Sequence, residues 1–428
     1  MMTRQGRQKA QFRADFHKLY VVRRAMRFHT TTSVASTLRR VTAAVAAVGL
    51  TLTVAACTIN TGEGEESQGT ADQVAQSEEA PKDTITANVE DGDDSTPVAD
   101  MVDVNSDSKL TEVTLTNEAG GEVEGKKSKD GKKWTASEKL GYGRTYTLEA
   151  KDKDETFTAE FTTESPAGQT NAALSPLDGS TVGVGQSVSF QFDTPITDRK
   201  AVEDLISIKT TPHVEGAFYW ISNQMLRWRP EEYWAPGTKV DVEGDFYGHD
   251  LGGGVYGEAD RSASFTIGDA LRAVVDDSDK TMTIYQNGEV IKTMPVSLGR
   301  DGGRWSTPNG VYQIGDQYDR LTMDSNTFGY SEAEGGYITD VDYATQMSYS
   351  GIYIHSAPWA SWAFGNTNQS HGCINVSPAD AKWVYENFKR GDIVEVKNTT
   401  GEQLDGHDGL GDWNIPWETW SAGNADQG

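Results

Sequence analysis

The sequence predicts a mainly β protein: two small β-sandwich modules in tandem, then a third β-rich domain that carries one short helix. Three observations predict it. From about residue 84 to 165, short runs alternate apolar and polar side chains, with turn signals between them. From 166 to about 268 the alternation returns with a large aromatic payload. After 269 a strong hairpin signal is followed, further on, by one clear helical period. A length of 428 residues is enough for two to four domains, each with its own core. A hydrophobic content of 36% and a mean hydropathy of −0.57 describe a soluble body, so any membrane attachment must be local. The formal charge of −26 excludes nucleic-acid binding by phosphate neutralisation and describes a solubilising, self-repelling surface.

That charge is unevenly spread. Residues 1–56 hold ten Lys and Arg against one Asp and read as an export signal. Arg39 and Arg40 precede an apolar run, Val41 to Val54, that is too short to span a bilayer comfortably. The run ends Val54-Ala55-Ala56-Cys57, which looks like a bacterial lipobox with Cys57 as the residue lipidated after cleavage. Residues 1–25 are basic and lack the apolar core of a signal, so Met26 is a candidate true start. Residues 57–83, polar and acidic, cannot bury enough surface to order themselves and read as a flexible tether. The expectation is an exported protein, lipid-anchored on the outer face of the cytoplasmic membrane.

In the first module (84–165), Val113 and Leu115, Tyr146 and Leu148, and Phe157, Ala159 and Phe161 alternate with polar residues. It holds no nucleophile, metal cluster or phosphate loop, so its role reads as structural. In the second (166–268), Val188 to Phe192 is a half-buried strand. Phe218, Trp220, Leu226, Trp228, Tyr233 and Trp234 read as sandwich core in preference to a sugar platform.

In the third domain (269–398), Met282 and Ile284, the Asn287-Gly288 turn, and Val290 and Ile291 predict a hairpin. Pro308 and Gly310 set a tight turn feeding a strand. Leu321 to Asp340, with Met323, Phe328 and Tyr337 scattered along it, reads as a long loop of the kind that forms lids. Ser377 can cap a helix, Pro378 suits its first position, and Asp380 completes the capping pattern. Ala381, Val384, Tyr385 and Phe388 give that helix one apolar face, and Lys389-Arg390-Gly391 ends it. Ile393 to Val396 is the next strand. In the C-terminal extension (399–428), Trp413, Trp417 and Trp420 fall at helical spacing and predict one aromatic stripe packing back on the body.

The chemistry concentrates at Ser370-His371-Gly372-Cys373-Ile374-Asn375. Cys373 is one of only two cysteines. If Cys57 takes lipid, Cys373 has no disulfide partner in an oxidising compartment, which points to a working thiol. A thiol becomes a strong nucleophile only with a base or cation nearby. His371 lies two residues away, too close along the chain to be placed against the sulfur. His355, ending the alternating run Gly351 to Ile354, can be delivered from a neighbouring segment and is the better general base. Gly372 permits unusual dihedrals, so N–H groups at His371, Gly372 and Cys373 can form an oxyanion hole. Ser370 and Asn375 read as braces of the loop; His371 positions either the loop or a substrate. His213, His249 and His407 read as bystanders. The histidines and cysteine do not fall at metal-ligand spacings, so neither a metal nor another cofactor is implied.

This pattern resembles the L,D-transpeptidase (YkuD) family, whose signature is a histidine followed at a distance by Ser/Thr-His-Gly-Cys-hydrophobic-Asn. His355 and Ser370 to Asn375 fill every position. Thr307 to Tyr312 resembles the family's Thr-Pro-x-Gly-x-aromatic run. The second module, with Leu226 to Pro230 and Tyr233-Trp234, looks like the immunoglobulin-like domain that precedes the catalytic domain in actinobacterial members; the first resembles their outer domain by position and strand pattern. The resemblance implies two immunoglobulin-like sandwiches followed by a YkuD-type catalytic domain, with the C-terminal piece clasping the last two. It implies that the Ser356 carbonyl orients His355, and that Met323 and Tyr337 line the acyl-donor pocket. It implies a peptidoglycan tetrapeptide stem as donor, a neighbouring stem's diaminopimelate amine as acceptor, a 3→3 cross-link as product, and penem-type β-lactams as covalent inhibitors. Water or a protein amine as acceptor would instead make a carboxypeptidase or an anchoring enzyme, and a dead thiol site would leave a wall-binding lipoprotein.

Overall fold

The computed structural model describes residues 85–329 and 331–427. The expected export signal, the Met26 start, the lipidated Cys57 and the tether lie outside them. The described chain falls within one unit, Asp83–Gly428.

In the first module, β-branched and aromatic residues at period two put every second side chain into one core. The strand Thr145–Lys151 shows this alternation: Tyr146, Leu148 and Ala150 are buried, and the residues between them are half-exposed. It pairs with Glu112–Asn117 and Thr156–Thr162 in a three-stranded sheet. A four-stranded sheet, Ile85–Ala87, Asp103–Ser106, Lys133–Ala136 and Gly125–Lys127, supplies Val104 and Trp134 to the same core.

The second module has two four-stranded sheets and a two-stranded pair. Phe190, Trp220, Leu226, Trp228 and Trp234 are buried in one core, and Phe218 and Tyr233 pack against it. Met225–Pro230 is buried on both faces. Leu226 and Trp228 face the sandwich core, whereas Arg227 and Arg229 turn to the C-terminal segment. Arg227 donates to both oxygens of Asp412 at 2.8 and 2.7 Å. The Arg229 guanidinium lies 4.4 Å from the ring centres of Trp413 and Trp420 and 5.5 Å from that of Trp417. The three tryptophans therefore share a cation and not a helix: Trp413 sits in the 3-10 turn Asp412–Asn414, and Pro416 separates it from the helix Trp417–Ala422.

The third domain packs a five-stranded sheet against a four-stranded one. The first runs Glu289–Pro295, Thr281–Gln286, Leu271–Asp276, Ile393–Lys397, Gly310–Gln313; the second runs Gln317–Asp324, Ile338–Gln346, Tyr353–Ser356, Ile374–Val376. The expected hairpin forms, with Asn287 and Gly288 both at positive φ. Its return strand bulges: Ile284 pairs with Lys292 and Tyr285 with Val290, which leaves Ile291 unpaired and both Val290 and Ile291 exposed. The segment read as a lid loop is mostly paired strand, with Leu321 opposite Val341 and Met323 opposite Thr339. Among the described residues of this segment, 325–329 and 331–337 at the tip leave the ladder. Pro378–Asn387 forms the expected helix, capped by Ser377, whose side chain accepts the Asp380 N–H at 3.1 Å. Ala381 and Val384 drive it into the core between the sheets, beside Ile354, Ile374 and Val376.

Candidate active site

The site is built on two neighbouring parallel strands. Ile354 pairs with Ile374, His355 with Asn375, and Ser356 with Val376. Side chains alternate along a strand, so Ile354, Ile374 and Val376 enter the main core while Tyr353, His355, Cys373 and Asn375 share the opposite face. The sequence-read cysteine and its distant histidine thus lie on adjacent strands, on one face, two positions apart.

His355 is buried, and its Nδ1 lies 3.0 Å from the Ser356 carbonyl oxygen. A carbonyl can only accept, so Nδ1 carries the proton and the lone pair is on Nε2. Burial, opposed by that backbone bond, pulls the imidazole down to about 4. Cys373 is 3% exposed, with Sγ 3.6 Å from the Gly351 carbonyl oxygen. Burial pushes its thiol up to about 11, against a hydrogen bond from the Tyr353 backbone. Thiol and imidazole are therefore both neutral at pH 7.

The loop bearing Cys373 is fastened from several sides. Ser370 Oγ donates to the Cys373 carbonyl at 2.6 Å and accepts the Gly372 N–H at 3.1 Å. This corrects one expectation: the Gly372 amide is occupied by Ser370, which leaves the amides of His371 and Cys373 as the oxyanion candidates. Gly372 has φ +123°, a conformation other residues rarely take. Thr307 Oγ1 donates to the Gly372 carbonyl at 2.8 Å and accepts the Gly299 N–H at 2.9 Å. Ser297 and Asn375 exchange backbone bonds at 3.0 and 2.9 Å. Asn375 thus braces through its main chain, while its buried Oδ1 has no partner among the described residues.

His371 packs between two aromatic rings. Its ring meets Trp305 edge-on at 4.6 Å and lies 4.8 Å from the Tyr337 ring. Burial, and then the charges of Arg300 and Arg304, hold it below the usual histidine range. Met323 and Tyr337 both reach the cluster around Cys373, with Val341, Ala344 and Tyr353. Burial and the nearby Cys373 push the Tyr337 hydroxyl well above its ordinary value. At the hairpin tip, the Phe328 ring covers Gly351, where a Cβ would stand 2.7 Å from ring atoms.

Sequence reading missed Thr307, Trp305 and Phe328 as site residues. The Thr-Pro-x-Gly turn marked the neighbourhood of Thr307, but nothing local announced its bond to Gly372. No group of three or more His, Cys, Asp or Glu among the described residues could hold a metal ion.

Comparisons with known proteins fall on the same regions. The L,D-transpeptidase catalytic domain family matches residues 271–396, and the bacterial Ig domain family matches 93–250, across both sandwich modules. L,D-transpeptidase 2 of Mycobacterium tuberculosis (strain CDC 1551 / Oshkosh) is 51% identical over 80% of this chain and 85% of its own. L,D-transpeptidase 5 of Mycobacterium tuberculosis (strain H37Rv) is 35% identical over 76% of this chain and 73% of its own. A solved LD transpeptidase in complex with imipenem is 39% identical over 54% of this chain and all of that one, with a TM-score of 0.47.

Proposed function

This chain belongs to the L,D-transpeptidase family, and on that premise we propose that it forms 3→3 cross-links between peptidoglycan stems through a Cys373 acyl-enzyme. The observation that carries this reading is the pairing of His355, its Nδ1 hydrogen bonded to the Ser356 carbonyl, with Cys373 on the same face of the neighbouring strand.

As Cys373 Sγ attacks the donor carbonyl, its proton passes to His355 Nε2. The carbonyl oxygen takes up negative charge beside the amides of His371 and Cys373. The C–N bond then breaks, His355 returns the proton to the departing amine of D-alanine, and a thioester remains. In the second half the diaminopimelate amine attacks the thioester and gives its proton to Nε2. The C–S bond breaks, and the thiol recovers that proton. Burial disfavours the charged form of both the thiol and the imidazole, which opposes moving the proton before attack. Proton transfer therefore accompanies C–S bond formation, and the His355 cation exists only while negative charge is present beside it.

Met323 and Tyr337 would line the donor pocket, and the hairpin tip would close over it. A carbapenem presents a strained amide carbonyl to the same thiol, so it would acylate Cys373. The lipobox at Cys57 would hold the enzyme on the outer face of the cytoplasmic membrane. The test is the intact mass of the protein after exposure to a carbapenem. One covalent adduct is expected on the wild type and none on Cys373→Ala; an unmodified wild type would sink the thiol mechanism. Muropeptide analysis then reads the acceptor: a 3→3 dimer supports cross-linking, whereas a free tripeptide alone would make the enzyme a carboxypeptidase.

A further inference from the structure

We propose that Arg300 and Arg304 recognise the donor's carboxylate, the one carried on the carbon bonded to the scissile nitrogen. This rests on the transpeptidase reading and adds to it the group that orients the leaving side of the donor.

The two arginines lie in a turn, Arg300 to Ser306, laid directly on the nucleophile loop. The Arg300 N–H donates to the Ser370 carbonyl at 3.0 Å. A Cβ on Gly299 would stand 2.9 Å from the Gly372 Cα, so only glycine lets the turn come this close. From there the Trp305 ring meets His371, two residues before Cys373. The guanidinium groups lie over the same indole, 5.8 Å from its centre for Arg300 and 4.5 Å for Arg304. Both side chains are exposed, and both charges are felt at the His371 ring. Arg300 makes no ion pair among the described residues. The acid within the turn, Asp301, is directed elsewhere, accepting from Asn368 at 2.8 Å. Gly302 and Gly303, both at positive φ with open space around them, make the bend that presents the arginines.

On a chain of net charge −26, a pair of cations beside His371, two residues before the candidate nucleophile, stands against the general field. Guanidinium groups suit carboxylates, which they grip with two parallel hydrogen bonds. The donor's anion closest to the attacked carbonyl is the carboxylate beyond the scissile nitrogen. A carbapenem carries its carboxylate in the same relation to the lactam nitrogen.

The experiment compares a carbapenem with its methyl ester as acylating agents of the full chain, for the wild type and for Arg300→Gln/Arg304→Gln. Second-order acylation rates are read by intact mass across a range of salt concentrations. We expect the double variant to slow the acid roughly tenfold more than the ester and to flatten the salt dependence of the acid's rate. Equal rates for the acid on both proteins would overturn the proposal. So would an equal slowing of acid and ester, because that would mean the turn only supports Trp305 and His371. If neither compound acylated the wild type, the thiol reading would fail first and take this inference with it. Iodoacetamide labelling of Cys373 and near-UV circular dichroism confirm that the variant's site is folded.

Discussion

Titration of the Cys373 thiol offers the sharpest check on the neutral pair. Burial holds it near 11, against an ordinary value of 9. At pH 7 the thiolate fraction is then about 10⁻⁴, roughly a hundredfold below that of an unperturbed thiol, because each pH unit is a factor of ten. Iodoacetamide alkylates only the thiolate. Its rate constant with Cys373 is therefore expected to be about a hundredfold below that of an exposed cysteine at the same pH. It should rise tenfold per unit toward pH 11 without levelling off near neutrality. The imidazole sets the other limit. It must be uncharged to accept a proton, and its value of about 4 keeps it so well below the ordinary 6.5. Carbapenem acylation should therefore survive at pH 5 and fall only as the pH approaches 4. An alkylation plateau between pH 5 and 7 would show a thiolate–imidazolium pair already formed and would refute the concerted transfer.

Three substitutions probe the supports. His355→Ala removes the base and should slow carbapenem acylation by roughly 10² to 10⁴, with thermal unfolding as the control for folding. Thr307→Val leaves the Gly372 carbonyl and the Gly299 N–H without their shared hydroxyl; about 1–3 kcal/mol of stability should be lost, measured by urea unfolding, and acylation should slow with it. Asp412→Asn leaves the buried Arg227 charge uncompensated and should cost about 3–5 kcal/mol, seen as a lower Tm of the full chain.

What was legible in the sequence was local or periodic. Tyr146 and Leu148 announce a strand by alternation, and Ser377, Pro378 and Asp380 announce a helix start by side-chain chemistry. His355 and Cys373 were legible as a motif, and the parallel strands that bring them to one face give that motif a geometry. The hairpin arm Gln317–Asp324 escaped because it is half-solvated and polar at most positions, so its alternation is weak. The tryptophans of the C-terminal segment look like a stripe in sequence because spacing records period and not partner. Their organiser, Arg229, stands nearly two hundred residues earlier in the chain. The Thr307 contact to Gly372 and the Arg227–Asp412 pair are likewise long-range, and no local pattern encodes which distant group a buried polar side chain will meet.

In this mechanism one buried thiol, Cys373, carries the donor's acyl group. Mixing the full chain with a disaccharide tetrapeptide in the absence of acceptor, quenching in acid and mapping the modified peptide tests it most directly. A thioester on Cys373 is expected, its added mass that of the donor less alanine, with free D-alanine released in step. Alanine released by a Cys373→Ala protein, or an acyl group trapped on any other residue, would contradict it.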